Sequence, residues 1–88
     1  MPGYSIGLLE TKKYSIALNA LDSMLKTSKV NALDKKVITD DFVTIFIEGE
    51  ISAVRSALDV GILKIKREGE MCSTYLLDDP DPVLTNLI

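Results

Sequence analysis

The run Ser5–Glu10 (SIGLLE) is short, mostly apolar and non-helical in period, which predicts a buried strand. From Tyr14 the pattern changes. Tyr14, Ala17, Leu18, Leu21 and Leu25 recur at spacings of three and four, the mark of a helix with one apolar face. Thr11 is positioned to cap that helix through its hydroxyl, and Lys26 and Lys29 sit where cations complement the negative end of the helix dipole. Val30–Ile38 alternates weakly and reads as a strand, Thr39-Asp40-Asp41 as a turn, and Phe42–Ile47 (FVTIFI) as the clearest strand in the chain. Two strands around a short polar turn make a hairpin. Gly49 breaks this pattern and Glu50 opens a second helix, with Val54, Ala57, Leu58, Gly61, Ile62 and Ile65 as its apolar stripe. A glycine inside a helix is about 1 kcal/mol worse than alanine, so Gly61 predicts a close approach to another element. Gly69 ends the helix, Met71–Leu77 (MCSTYLL) forms the last strand, and Asp78–Pro82 stops it. Val83–Ile88 is an apolar tail, long enough for one helical turn.

Strand, helix, strand, strand, helix, strand is the split βαβ order. The expected fold is α+β and ferredoxin-like: a βαββαβ antiparallel sheet with both helices on one face and a short C-terminal tail. At 88 residues the chain is expected to form a single domain over 1–88. Hydrophobic residues make up 47% of it and mean hydropathy is +0.20. That is rich for so short a chain, and predicts either a core large for its size or apolar surface meant for other subunits. No apolar run approaches the roughly 18 residues of a membrane span, and Met1–Glu10 lacks the basic-then-apolar pattern of a signal peptide.

Candidate chemistry is sparse. There is no histidine, the commonest transition-metal ligand and general base, so neither an enzyme nor a metal centre is expected. Cys72 is the only cysteine; it allows no disulfide within the chain and is expected to be an inert strand residue. Asp40, Asp41, Glu48 and Glu50 offer oxygen ligands, but without the spacing of a calcium loop. The glycines form no phosphate-binding fingerprint, and no cofactor is expected. The net charge of −3 argues against a nucleic-acid surface; Lys12-Lys13 and Lys35-Lys36 are short solvated pairs.

Over residues 7–80 the chain resembles the hexameric shell-protein (BMC) domain of bacterial microcompartments, without a gap. The resemblance is carried by Gly7-Leu8-Leu9-Glu10, by Asp22, Met24 and Lys26 at the end of the first helix, and by Val43-Thr44 running on to Gly49-Glu50. Ala53-Val54, Ala57, Asp59 and Gly61 in the second helix and Gly69 before the last strand complete it. It implies a non-catalytic subunit of a microcompartment shell in the bacterial cytoplasm. Six copies would form a flat ring with a central pore for small molecules, a pentamer being the alternative. Other shell proteins and encapsulated enzymes would be its partners.

The resemblance also implies three sites. Thr39, Asp40 and Asp41 match the loop that surrounds the pore, where relatives carry a glycine-rich Gly-Ser-Gly. Ringed around an axis, Asp40 and Asp41 would make an acidic pore that favours cations and repels anions; the plainer reading is two polar turn residues facing solvent. Lys26 matches the lysine that relatives lay across the seam between rings; otherwise it serves only the helix dipole. Asp78-Asp79-Pro80 stands where relatives have Pro-Arg-Pro, so Asp79 puts an acid in place of the docking arginine. An ordinary seam between identical rings would then lack its usual contact, which points to a neighbour carrying a complementary base or to a ring of atypical size. The competing reading is a ferredoxin-like small-metabolite-sensing or regulatory oligomer, such as a compact trimer.

Overall fold

A computed structural model describes residues 4–78, without the side chain of Lys35. The elements are β1 (Tyr4–Thr11), α1 (Tyr14–Thr27), β2 (Val30–Ile38), β3 (Val43–Glu50), α2 (Ile51–Arg67) and β4 (Cys72–Asp78). The strands form one sheet in the order β2-β3-β1-β4, every neighbouring pair antiparallel. This is the α+β arrangement anticipated from the order of hydrophobic periods.

Strand side chains alternate between faces, so Ser5, Gly7, Leu9 and Thr11 of β1 point one way and Tyr4, Ile6, Leu8 and Glu10 the other. The first set faces the helices: a Cβ on Gly7 would lie 2.7 Å from Val54 Cγ1 of α2 and 3.2 Å from Ile47 Cγ1 of β3. Leu9, Val43, Ile45 and Ile47 of the sheet pack there against Ala17, Ala20 and Met24 of α1 and Val54, Ala57 and Ile65 of α2. Gly61 has the packing reason expected of it: a Cβ there would stand 2.7 Å from Leu9 Cδ1 and 2.8 Å from Met24 Sδ. Gly69 ends the α2 connection at φ +78°, a conformation open to glycine and strained for other residues.

The α1 stripe differs from the one read off the large side chains. The residues it buries are Ile16, Ala17, Ala20 and Met24, while Tyr14 and Leu25 are exposed. Two alanines let the helix lie close to its neighbours, so the small residues define its inner line. Thr11 is not the cap of α1. It is the last residue of β1, and its hydroxyl donates to the Met71 carbonyl (2.9 Å). Lys13 occupies the N-cap and makes no side-chain cap bond. β3 begins at Val43 rather than Phe42 and runs through Gly49, which pairs with Ser5 and Val30, to Glu50, the N-cap of α2. β4 begins at Cys72, one residue after Met71. The β2–β3 ladder slips between Ala32 and Lys36, where three β2 residues stand opposite Phe46 alone.

Candidate functional site

The β2–β3 turn is built around one hydroxyl. Thr39 N donates to the Phe42 carbonyl (2.9 Å) and so closes the loop. Thr39 Oγ1 also donates to that carbonyl (3.2 Å), and accepts from the amides of Asp41 (3.2 Å) and Phe42 (3.0 Å). A threonine hydroxyl has one donor and two acceptor positions, so all three are used within the turn. Glycine-rich turns reach their shape through backbone freedom; this one is held by a side chain. Asp40 and Asp41 are exposed at its tip. Of the three residues predicted to line a pore, two are therefore free to meet solvent or ions, and Thr39 holds them in place.

The turn shares its end of the sheet with two other connections. Thr11 pairs with Val43 on one side and with Cys72 on the other, which brings the β1–α1 and α2–β4 junctions beside the start of β3. A hollow of about 350 Å³ lies among them, lined by Glu10, Thr11 and Lys12, by Asp41 and Phe42, and by Met71, Cys72 and Ser73. The Lys12 cation and the Asp41 carboxylate thus border one space, and Met71 stands at its edge 82% exposed. Lys12, Met71 and Ser73 were not singled out from the sequence; only the strand register joins them to Asp41. Glu10 accepts a bond from Thr44 Oγ1 (3.2 Å), and Lys13 reaches Glu70 (3.2 Å) across the same end of the fold. Cys72 is half-buried, and burial pushes its thiol up, partly offset by the nearby Lys66 charge, which suits an inert residue.

Lys26 lies in the last turn of α1, at the opposite end of the molecule. α1 leads away from the Thr39–Asp41 end, and Val30, just beyond it, pairs with Gly49 near the far end of β3. The 14-residue helix is about 20 Å long, which sets the separation between the two predicted sites. Lys26 Nζ is 3.0 Å from Asp22 Oδ2, an exposed i,i+4 pair whose acid-then-base order agrees with the helix dipole. Asp79, predicted at the same seam, lies outside the described residues, as does the tail 81–88.

A further polar pair was not visible in the sequence. Tyr4 Oη donates to Glu48 Oε1 (2.5 Å) from adjacent strands on the face away from the helices. This bond, then burial and the Glu48 charge, push the phenol up to about 12. Glu50 accepts from the Ser52 hydroxyl at the start of α2, which holds its carboxyl below the usual range. Among the described residues no group of three or more His, Cys, Asp or Glu side chains is placed to hold a metal ion, and no helix is long and apolar enough to cross a membrane.

Comparison with known proteins gives a consistent result. The family model described as the BMC domain matches residues 5–80. The chain is 35% identical over 77 residues to the bacterial microcompartment shell protein EutK of Escherichia coli, covering 88% of this chain and 46% of that protein. It is 29% identical over 76 residues to the shell protein PduA of Citrobacter freundii, covering 86% and 82% of the two. The chain thus spans about half the length of EutK and most of PduA. Among solved structures, a microcompartments protein from Desulfitobacterium hafniense superposes with a TM-score of 0.76 at 26% identity, over 90% of this chain and 43% of that one.

Proposed function

The chain belongs to the BMC-domain family, and from that premise we propose that it is a structural, non-catalytic shell subunit of a bacterial microcompartment. Copies associate into a cyclic ring, six-fold in the first instance, with the β2–β3 turns gathered at the axis. Other shell proteins surround the ring and enzymes lie behind it.

The observation that carries this reading is the arrangement of the Thr39–Asp41 turn. It is a projecting loop braced from within, with both carboxylates exposed at its tip. Around an axis, Asp40 would supply a ring of about six negative charges, attractive to cations and repulsive to anions. Lys26, about 20 Å away at the other end of α1, would lie towards the rim and reach across the seam to a neighbouring ring. To do so it need only leave Asp22, since an exposed pair of this kind is worth about 0.3–0.5 kcal/mol. Asp79 would give that seam an acid where related rings carry arginine, and so would favour a neighbour with a complementary base over an identical ring.

Native mass spectrometry of the purified chain tests the ring, with a closed assembly of six subunits expected; a stable monomer at high concentration would end the proposal. Reversal potentials across a bilayer holding the assembled protein test the pore. Cation preference should weaken in Asp40→Ala, and unchanged selectivity would remove the acidic-pore assignment while leaving the ring standing. In the same preparations Lys26→Ala should keep the ring and lose extended sheets under the electron microscope; sheets of normal extent would take Lys26 off the seam.

A further inference from the structure

Lys12, Lys13 and Lys36 all stand near the Thr39–Asp41 end of the fold, but they are not equivalent. Lys13 is spent on Glu70, 3.2 Å away. Lys36 Nζ donates to Tyr14 Oη (3.3 Å) and lies 5.6 Å from the centre of that ring, which draws it onto α1. Along β2 it is also three residues short of Thr39, about 10 Å. Lys12 follows Thr11 directly, and Thr11 pairs with Val43, where the turn re-enters the sheet. Its exposed side chain lines the hollow that Asp41 and Phe42 border on the other side. Among the described residues Lys12 has no ion-pair partner. Glu10 shares the hollow, but its carboxylate accepts from Thr44.

We propose that Lys12 is a selectivity-determining residue of the pore, an ammonium set behind the Asp40–Asp41 tip that offsets part of its charge and keeps small anions admissible. This rests on the cyclic arrangement proposed above, with the turns gathered at the axis. A space of 350 Å³ is about 7 Å across. That is within the roughly 8 Å over which exposed charges are felt at physiological ionic strength. Two unit charges about 7 Å apart in water interact by about the thermal energy, so one ammonium there changes the local concentration of a passing ion about 2–3-fold. An ion at the tip thus meets two carboxylates and, across the hollow, one cation from each subunit. Lys36 is held back by Tyr14 and farther from the tip, so its share in this field is small.

The test uses the whole 88-residue chain, assembled in a bilayer under a gradient of dilute KCl. Lys12→Met keeps an aliphatic stem and removes the charge; it should raise the permeability ratio of cation to anion at least two-fold, and Lys12→Gln should do the same. Lys12→Arg should hold the wild-type ratio, and Lys36→Met should stay close to it. In molar salt the difference between wild type and Lys12→Met should vanish. Native mass spectrometry of each variant shows whether the subunit number is kept. An unchanged ratio in Lys12→Met, with Asp40→Ala still shifting it, would overturn the role of Lys12 and leave the acidic pore standing. Equal rises in Lys12→Met and Lys36→Met would also overturn it, because net charge and not position would then decide. Loss of the ring in both Lys12→Met and Lys12→Gln would make the residue one of assembly and overturn it as well. Indifference to Asp40→Ala and Lys12→Met together would remove the acidic pore itself, and this inference with it.

Discussion

At Gly7 and Gly61 the fold brings elements together by omitting a side chain, whereas at Thr39 it shapes a turn by adding a hydroxyl. The first device belongs to the layer between sheet and helices, where a missing Cβ lets Val54 meet β1 and lets Leu9 and Met24 meet α2. The second belongs to the exposed loop, where the threonine bonds two amides and a carbonyl that a glycine-rich turn would place by backbone conformation alone. The lesson is one of tolerance. A void shaped for no side chain fails abruptly when filled, because surrounding atoms are packed at crystal-like density. A hydrogen-bonded turn in water loosens by degrees, because solvent replaces the lost bonds.

The largest effect should come from filling the void at Gly7. Gly7→Ala is expected to lower stability by about 2–3 kcal/mol, because Val54 and Ile47 are β-branched and have little freedom to turn away. Gly61→Ala should lose less, about 1 kcal/mol, since overpacking against Leu9 and Met24 is offset by about 1 kcal/mol of helix propensity. Urea midpoints of the two variants check this order, and equal or improved stability for Gly7→Ala would break the comparison at its base.

A smaller change is expected at the turn. Thr39→Val keeps the shape and removes the hydroxyl, with an expected loss of about 0.5–1 kcal/mol and faster hydrogen exchange at the Asp41 and Phe42 amides. Thr39→Ser should restore slow exchange. If exchange at those amides is indifferent to the hydroxyl, the turn is not held as described.

The smallest effect at neutral pH concerns Tyr4, on the face away from the helices. Its phenol is raised from 10.0 to about 12 in the fold, which means the neutral form is favoured there. The associated stability is fully present below pH 10 and is lost as pH rises through about 12. Thermal melts should therefore show the wild type losing an advantage over Tyr4→Phe between pH 10 and pH 12. Parallel curves for the two proteins would discount the Glu48 bond.

Much of this architecture was legible because it rests on local period. The β-branched and aromatic run Phe42–Ile47 and the three-four spacing of Val54, Ala57, Leu58, Gly61 and Ile65 name their elements without reference to anything distant. Gly61 was legible as a contact though not as a contact with Met24. What escaped depends on register. Thr11 has the chemistry of a helix cap, but β1 continues through it because both Val43 and Cys72 are paired with it. Gly49 has the look of a breaker, yet its neighbours on both sides hold it in the sheet. The candidate site divides the same way. Thr39, Asp40 and Asp41 stood out as a turn between two strands, while their association with Lys12 and Met71 required knowing which strand ends lie together. The Tyr4–Glu48 and Lys13–Glu70 pairs join residues far apart in the chain and leave no local trace.

The slip in β2 has a consequence for strand pairing between molecules. Among the described residues β2 and β4 are the outer strands of the sheet, and a straight outer strand offers unpaired amides and carbonyls as a template for the next molecule. Runaway growth of fibrous polymer is the hazard of any crowded, apolar-rich chain with such a template. By setting three residues against one between Ala32 and Lys36, the fold interrupts that template midway along β2. The irregular stretch denies a stray copy a continuous ladder along this strand.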